Sequence, residues 1–300
     1  MPGLGFAGAP VTAEAAADGT HPALQPLLSV LRRPVFADAP PGRLTVWRWL
    51  GWMCLLLLTA YLSSALTHAL AHVFGWPVPQ SSARARFFTR PSWAVVAVVL
   101  VAPALEELGF RAFLCTAPKF LFSGLAFFLG YAYLAVRTDL APISATISPA
   151  EVLTEYFRAF WVFVPTGAVS LLLYRYRRDA VVAFFERHAG WVFWMSCILF
   201  GAAHASLYTN HWVWWALVLA LPQFLLGVGL AYLRVSFGLR WSIASHYAID
   251  IPAVLGSWLY SSAAPSSPLH RDILLAFTAM AVAIVAYGLV VLSRVSRRLW

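Results

Sequence analysis

Long apolar stretches separated by short polar connections fill the chain from residue 46 onward. A helix needs roughly 20 residues to cross the hydrocarbon of a bilayer, and most of these stretches reach that length. Two shorter ones, 120–136 and 158–174, indicate helices that are tilted or partly re-entrant, or whose ends differ from the apolar bounds. The pattern predicts an all-α, polytopic membrane protein with about eight transmembrane helices in a single bundle. The predicted spans are 46–74, 92–117, 120–136, 158–174, 190–209, 212–233, 239–260 and 272–293.

Residues 1–45 differ from this pattern, because they are rich in Ala, Gly and Pro and contain no long apolar stretch. They lack the basic start and apolar centre of a secretion signal. We therefore expect an N-terminal arm that is flexible or lies on a surface. Neither a linker nor an internal repeat divides the rest, so we expect one transmembrane helical domain over 46–298.

Composition supports a location in the membrane. Hydrophobic residues make up 61% of the 300 residues, charged residues only 11%, and mean hydropathy is +0.74. Soluble domains carry about 25% charged residues, so this chain has too little charge for a surface that faces water. The 14 tryptophans suit the two interfaces of a bilayer, where ring bodies meet lipid and polar edges meet headgroups.

The net charge of +9 does not indicate a nucleic-acid partner, because the basic residues flank apolar stretches instead of forming one face. Such flanking charges orient membrane helices and favour contact with anionic headgroups of the bilayer. More of them fall on the side of the N-terminus, and Arg234 is assigned to a connection on that side. We expect a multi-pass protein of a bacterial inner or plasma membrane, with both termini cytoplasmic.

A small set of ionisable residues interrupts the apolar stretches. A charged group near the bilayer centre costs on the order of 2.5–3.5 kcal/mol, so these residues must face one another or a watery cavity. They lie in the second, fifth and seventh stretches, and they are Glu106, Glu107, Arg111, His204, His246 and Asp250.

Helical spacing divides these residues into roles. Glu107 and Arg111 are four positions apart, so they share a helix face and can form an ion pair. Glu106 is rotated by about 100° and is left to face a cavity, where it can take a proton from water. His246 and Asp250 are also four apart, so they can hold one water or metal together, or the carboxylate can orient the imidazole.

Four oxygen and nitrogen donors from three helices form the candidate metal ligands. Such a set can activate water with a divalent metal such as zinc, or without any metal. The sequence leaves both cofactor possibilities open, with Glu106, His204, His246 and Asp250 as the ligands.

Three short motifs hold these residues in order. EELGFR begins at Glu106, FGAAH ends at His204, and HYAID runs from His246 to Asp250. They resemble the EExxxR, FxxxH and HxxxN motifs of the CPBP (CAAX protease and Abi) family of intramembrane peptidases, which includes the type II CAAX prenyl endopeptidases. The resemblance covers about residues 90–260. It implies a membrane-anchored protein or peptide as substrate, cleaved near its C-terminus.

The resemblance also implies a role for each motif residue. Glu106 would be the general base, supported by Glu107 and Arg111. His204 would hold the water or stabilise the oxyanion, with His246 and Asp250 completing the pocket. Asp250 stands where asparagine is common in the family. Because a carboxylate donates no hydrogen bond unless protonated, this departure favours a metal ligand or an orienter of the imidazole.

The expected enzyme is thus an intramembrane protease of CAAX-protease type, either glutamate-dependent or metal-assisted. Two other functions fit the same residues. Buried carboxylates and histidines also serve as proton relays in transporters and ion-binding membrane proteins. A scaffold or immunity protein without catalytic activity could keep the same fold.

Overall fold

The computed structural model describes residues 25–36, 44–76, 92–137, 149–205 and 214–262, together with positions 272, 275 and 279. All regular secondary structure within these ranges is α-helical, which confirms the prediction of an all-α protein. The helices are α1 (Gln25–Arg32), α2 (Val46–Val73), α3 (Ser92–Phe110), α4 (Pro118–Arg137), α5 (Pro149–Arg187), α6 (Ala189–Ala205), α7 (Trp214–Leu219), α8 (Leu221–Phe237) and α9 (Leu239–Ser262).

The second predicted span, 92–117, is helical only as far as Phe110. Residues 111–117 form turns and bends before α4 begins at Pro118. A proline at the first position of a helix disfavours helical geometry in the residue before it, so the two helices cannot merge. Gly109 weakens the end of α3 further, because glycine is a poor helix former. The prediction of one helix across this stretch was wrong.

Two other predicted spans also have different bounds. The stretch 212–233 is divided at Ala220 into α7 and α8, because Pro222 has no backbone N–H with which to continue the first helix. The stretch 158–174 lies inside the much longer α5, which has 39 residues. A non-helical residue, Arg177 (φ −135°, ψ 17°), kinks that helix. The predicted span 272–293 falls almost wholly outside the described residues.

Close helix packing depends on glycines in α6 and α8. A methyl group at Gly201 would lie 2.8 Å from Cβ of Phe224, so these two helices approach nearly backbone to backbone. On the other side of α8, α2 packs through Trp52, whose ring centre is 4.7 Å from that of Tyr232. The indole of Trp49 donates to Ser245 on α9 at 2.8 Å, so α2 is also attached to α9.

The described part of the N-terminal region packs against this bundle. Residues 25–32 form α1, and Phe36 beyond it is buried in the same hydrophobic cluster as Phe185 and Phe193. The rest of the predicted arm lies outside the described residues.

Among the described helices, α2 is the one that is both long and apolar enough to cross a bilayer, with 28 residues and a mean hydropathy of 1.6. Shorter apolar helical segments cover Pro118–Gly130, Ala189–Ala205 and Leu221–Phe237. The prediction of about eight transmembrane helices therefore stays a prediction, as does the topology derived from it.

Candidate functional site

Three helices carry the candidate residues to one place. Glu106 and Glu107 lie on the last turn of α3, His204 near the end of α6, and His246 and Asp250 within α9. Two side chains attach the neighbouring helices to α3: the Ser196 hydroxyl donates to the carbonyl of Phe110, and the Tyr247 hydroxyl to that of Leu100. Hydrogen bonds between helices hold the three segments in register.

Glu107 contacts three other residues of the site. Its Oε1 lies 3.3 Å from Nη1 of Arg111, which confirms the predicted ion pair. The same oxygen lies 3.0 Å from Nδ1 of His246, and the Ser242 hydroxyl donates to Oε2. The Glu107 side chain is fully buried. Its carboxylate is therefore compensated by one cation and two hydrogen-bond donors, as a buried charge requires.

The sequence did not predict the Glu107 contacts to His246 and Ser242. Ser242 precedes His246 by four positions, so the two share a face of α9, and that spacing could have indicated Ser242 as a further site residue. Nothing in the spacing of Glu107 and His246 could have done so, because the two residues are 139 positions apart.

Arg111 is buried and stacked on an aromatic ring. Its guanidinium carbon lies 3.7 Å from the ring centre of Phe200, the first residue of FGAAH. A methyl group at Gly227 would lie 2.9 Å from that ring and 3.2 Å from Nη2 of Arg111, so only glycine leaves room for the pair. Desolvated stacking of this kind contributes about 2 kcal/mol. The stacking supports a guanidinium that is ion-paired with Glu107 but makes no hydrogen bond to the described residues.

The two histidines present the same nitrogen to Glu106. Nδ1 of His204 lies 2.8 Å from the carbonyl oxygen of Phe200, an atom that only accepts, so Nδ1 carries the proton. Nδ1 of His246 faces the Glu107 carboxylate in the same way. The Nε2 atoms of His204 and His246 lie 3.8 and 3.7 Å from Oε2 of Glu106. Fixing Nδ1 in this manner orients an imidazole and defines its tautomer.

Asp250 completes the cluster at its open edge. Its Oδ2 lies 3.4 Å from Nε2 of His246, and its side chain is 35% exposed. The side chains of Glu106 and His204 are 17% and 21% exposed, whereas Glu107 and Arg111 are fully buried. The site thus has a fully buried supporting layer and a partly exposed layer formed by Glu106, His204 and Asp250.

No protein-family model, curated protein or solved structure matches this chain.

Within the described residues, no group of three or more His, Cys, Asp or Glu side chains is arranged to hold a metal ion. Two ligands of a tetrahedral zinc ion lie about 3.3 Å apart when each bond is near 2.0 Å. Glu106 Oε2 is farther than that from both imidazole nitrogens, at 3.7 and 3.8 Å. These separations suit a water that contacts both groups at ordinary hydrogen-bond distances of about 2.8 Å.

Arg234 is a supporting residue that the sequence placed wrongly. It was assigned to a polar connection, but it lies buried within α8. Its Nε donates to the carbonyl of Arg111 at 3.0 Å and its Nη2 to that of Ala112 at 2.9 Å. These carbonyls follow directly on α3, so Arg234 fixes the end of the helix that carries both glutamates. An arginine at the end of an apolar stretch gives no sign in sequence of whether it faces water or protein.

Proposed function

We propose that this chain is an intramembrane endopeptidase that activates water with a glutamate and a histidine to cleave a membrane-associated protein or peptide, near the C-terminus of that substrate. The observation that carries the proposal is the position of Glu106 Oε2, 3.7–3.8 Å from Nε2 of both histidines. A carboxylate oxygen without a hydrogen-bond partner among the described residues has its lone pairs available for a reactant.

The reacting water would donate one proton to Glu106 Oε2 and the other to Nε2 of His204. With both protons engaged, its oxygen keeps a lone pair for the carbonyl carbon of the substrate. Glu106 takes the first proton as the new C–O bond forms, which gives a tetrahedral intermediate with one negatively charged oxygen. The Glu106 carboxyl then returns the proton to the amide nitrogen as the C–N bond breaks, and the carboxylate is regenerated.

His246 would stabilise the charged oxygen of the intermediate. In the neutral tautomer its Nε2 only accepts, so donation requires the doubly protonated ring. Glu107 and Asp250 lie on either side of the imidazole and favour that positive charge. Asp250 would therefore orient His246 in this scheme. This is one of the two roles that an aspartate, in place of the asparagine common in the family, favours.

Exposed apolar side chains support a membrane location for the site. On α2, Leu62 is 63% exposed, and on α5, Leu171 is 64% exposed. Soluble monomers rarely expose large contiguous apolar patches, whereas lipid accepts them without cost. With the composition, these faces support a polytopic bundle, which would place the site at the depth of a membrane-embedded peptide bond.

The proposal includes membership in the CPBP family. Its support is the order of the three motifs together with the proximity of Glu106, His204, His246 and Asp250 in space. The family resemblance alone suggests prenylated substrates. Two peptide probes distinguish the substrate classes: one is farnesylated near its C-terminus, and the other ends in an apolar helix.

The decisive experiment incubates proteoliposomes of the full chain with both fluorogenic peptides. Glu106→Gln should lower the cleavage rate at least about 100-fold, because general-base catalysis contributes 10²–10⁴-fold. Glu186→Gln, which changes an exposed glutamate of α5, is the matched control and should keep the rate. Full activity in Glu106→Gln would overturn the mechanism. Proton flux that Glu106→Gln abolishes, without hydrolysis by the unmodified chain, would assign the site to transport.

A further inference from the structure

One end of the helix bundle gathers positive charge that the proposed peptidase site does not use. Three elements meet there: the end of α1, the end of α5 and the start of α6. Pro34 lies 3.8 Å from the position that a Cβ of Gly190 would take, so the residues after α1 contact the start of α6. Phe36 and Phe185 share one hydrophobic cluster, which brings the end of α5 to the same place.

The start of α4 joins this end of the bundle. The Phe122 ring centre lies 5.3 Å from that of Tyr174, and the Ser170 hydroxyl donates to the carbonyl of Phe122. Lys119 lies one turn before Phe122, and three arginines follow Tyr174, so the ring contact brings these two basic segments to the same end of the bundle. Four elements therefore contribute to one continuous edge.

Exposed basic residues dominate this edge. Within the described part of these elements, two exposed acidic residues, Asp179 and Glu186, accompany them. We name the basic set the basic collar, and its members are Arg32, Arg33, Lys119, Arg175, Arg177, Arg178 and Arg187. The excess of positive charge is large enough to attract a polyanionic surface rather than a single counter-ion.

The part of α5 beyond the kink at Arg177 is amphipathic. Phe185 is buried in the core, and Val181 and Val182 pack against the same cluster. Arg187 is exposed on the opposite side of the helix, and Arg178 is exposed next to the kink. A helix whose arginines face outward while its apolar side is covered can lay those arginines on the headgroup layer.

Aromatic side chains stand among these arginines. Tyr176 is 69% exposed, and Tyr174 lies beneath Arg178, whose guanidinium carbon is 6.0 Å from its ring centre. Exposed tyrosines beside arginines are typical of the interface between lipid and water. In a chain with a mean hydropathy of +0.74, this combination favours lipid over a soluble polyanion.

We propose that the basic collar binds the phosphate headgroups of anionic phospholipids. The proposal rests on the membrane location proposed above, and it does not depend on hydrolysis. Each arginine near a charged lipid surface contributes about five-fold in affinity, so a collar of several residues gives a marked preference for anionic over zwitterionic lipid. The attraction is electrostatic, and high salt must weaken it.

The test measures quenching of tryptophan fluorescence in the purified full chain, which has 14 tryptophans. Micelles contain either brominated phosphatidylglycerol or brominated phosphatidylcholine, and their quenching gives the relative binding constant of the two lipids. The unmodified chain should prefer phosphatidylglycerol at least about five-fold. Substitution of Arg32, Arg33, Arg178 and Arg187 by glutamine should reduce the ratio towards one. The matched variant with lysine at these four positions should retain it.

Other outcomes separate the possible explanations. Equal ratios in the glutamine and lysine variants, or a ratio of one in the unmodified chain, would overturn the basic collar. Suppression of quenching by inorganic phosphate at equal concentration would assign the site to free anions instead. Binding of an RNA oligonucleotide through the same arginines, without lipid preference, would also overturn it.

Glu106→Gln should keep the lipid preference whether or not the chain is a peptidase. A chain that remains soluble without detergent would contradict the membrane location itself.

Discussion

His246 and Glu107 are joined across two helices by a contact of 3.0 Å between Nδ1 and Oε1. From spacing alone, Glu107 is predicted only to form an ion pair with Arg111. The contact with His246 gives it a second partner. The carboxylate is shared between a guanidinium and an imidazole, so it positions the histidine that faces Glu106. The two adjacent glutamates thus have different environments: Glu107 lies in a buried network, and Glu106 would face the reactant of the proposed reaction.

Replacement of Glu107 should therefore destabilise the protein, whereas replacement of Glu106 should not. Glu107→Gln leaves the buried Arg111 without its carboxylate, and breaking a buried ion pair costs about 3–5 kcal/mol. Glu106→Gln removes no ion pair of that kind. Thermal unfolding of both variants in the same detergent checks this difference. Equal transition temperatures for the two would refute the division of roles.

The Arg111–Phe200 stack requires a glycine opposite it. Gly227→Ala should destabilise the protein by about 1–3 kcal/mol, because the added methyl group would collide with the Phe200 ring and approach Arg111. Gly167→Ala is the matched control, since a methyl group there meets nothing within 4 Å. That change should be neutral or slightly stabilising, as alanine is the better helix former. The measurement is the unfolding midpoint of each variant. An equal decrease in both midpoints would contradict the packing argument.

Arg234 should matter for catalysis although it touches no reactant. Arg234→Met removes both hydrogen bonds to the carbonyls after α3 and should lower the cleavage rate more than it changes KM. Arg240→Met alters an exposed arginine at the start of the next helix and serves as the comparison. Steady-state kinetics on the fluorogenic peptides distinguish the two. If Arg234→Met matched Arg240→Met in rate, the support assigned to Arg234 would be wrong.

Hydrolysis should persist after chelation of divalent metals. The Glu106 oxygen is 3.7 and 3.8 Å from the imidazole nitrogens, wider than the edge of a zinc site. Cleavage rates measured before and after prolonged dialysis against a strong chelator should agree within experimental scatter. Loss of activity that zinc restores would instead make Asp250 and the two histidines metal ligands.

Sequence spacing predicts contacts within one helix, but it does not predict contacts between helices. The ion pair of Glu107 and Arg111 is a relationship within one turn, so spacing sufficed to predict it. The contact between Glu107 and His246 depends on how two distant helices are rotated about their axes, which hydropathy does not encode. The free-energy cost of a charge in the bilayer predicts only that buried charges contact one another. Which residues pair is decided by how the helices pack.

The bounds of the helices show the same limit. Hydropathy treats 92–117 as one segment because the residues after Phe110 are as apolar as those before it. Backbone turns are set by local conformation, here by Gly109 and Pro118, and not by the transfer energy of side chains. A window that averages hydropathy also passes over the break at Ala220.

Arg234 makes the packing of α8 depend on a segment far earlier in the chain. Its guanidinium finds acceptors on the segment after α3, more than a hundred residues earlier in the chain. In the proposed membrane location an unpaired arginine is costly, so α8 would gain a favourable position only once that earlier segment has docked beside it. Folding of the bundle would then be sequential, with the segment after α3 in place before α8 packs against it.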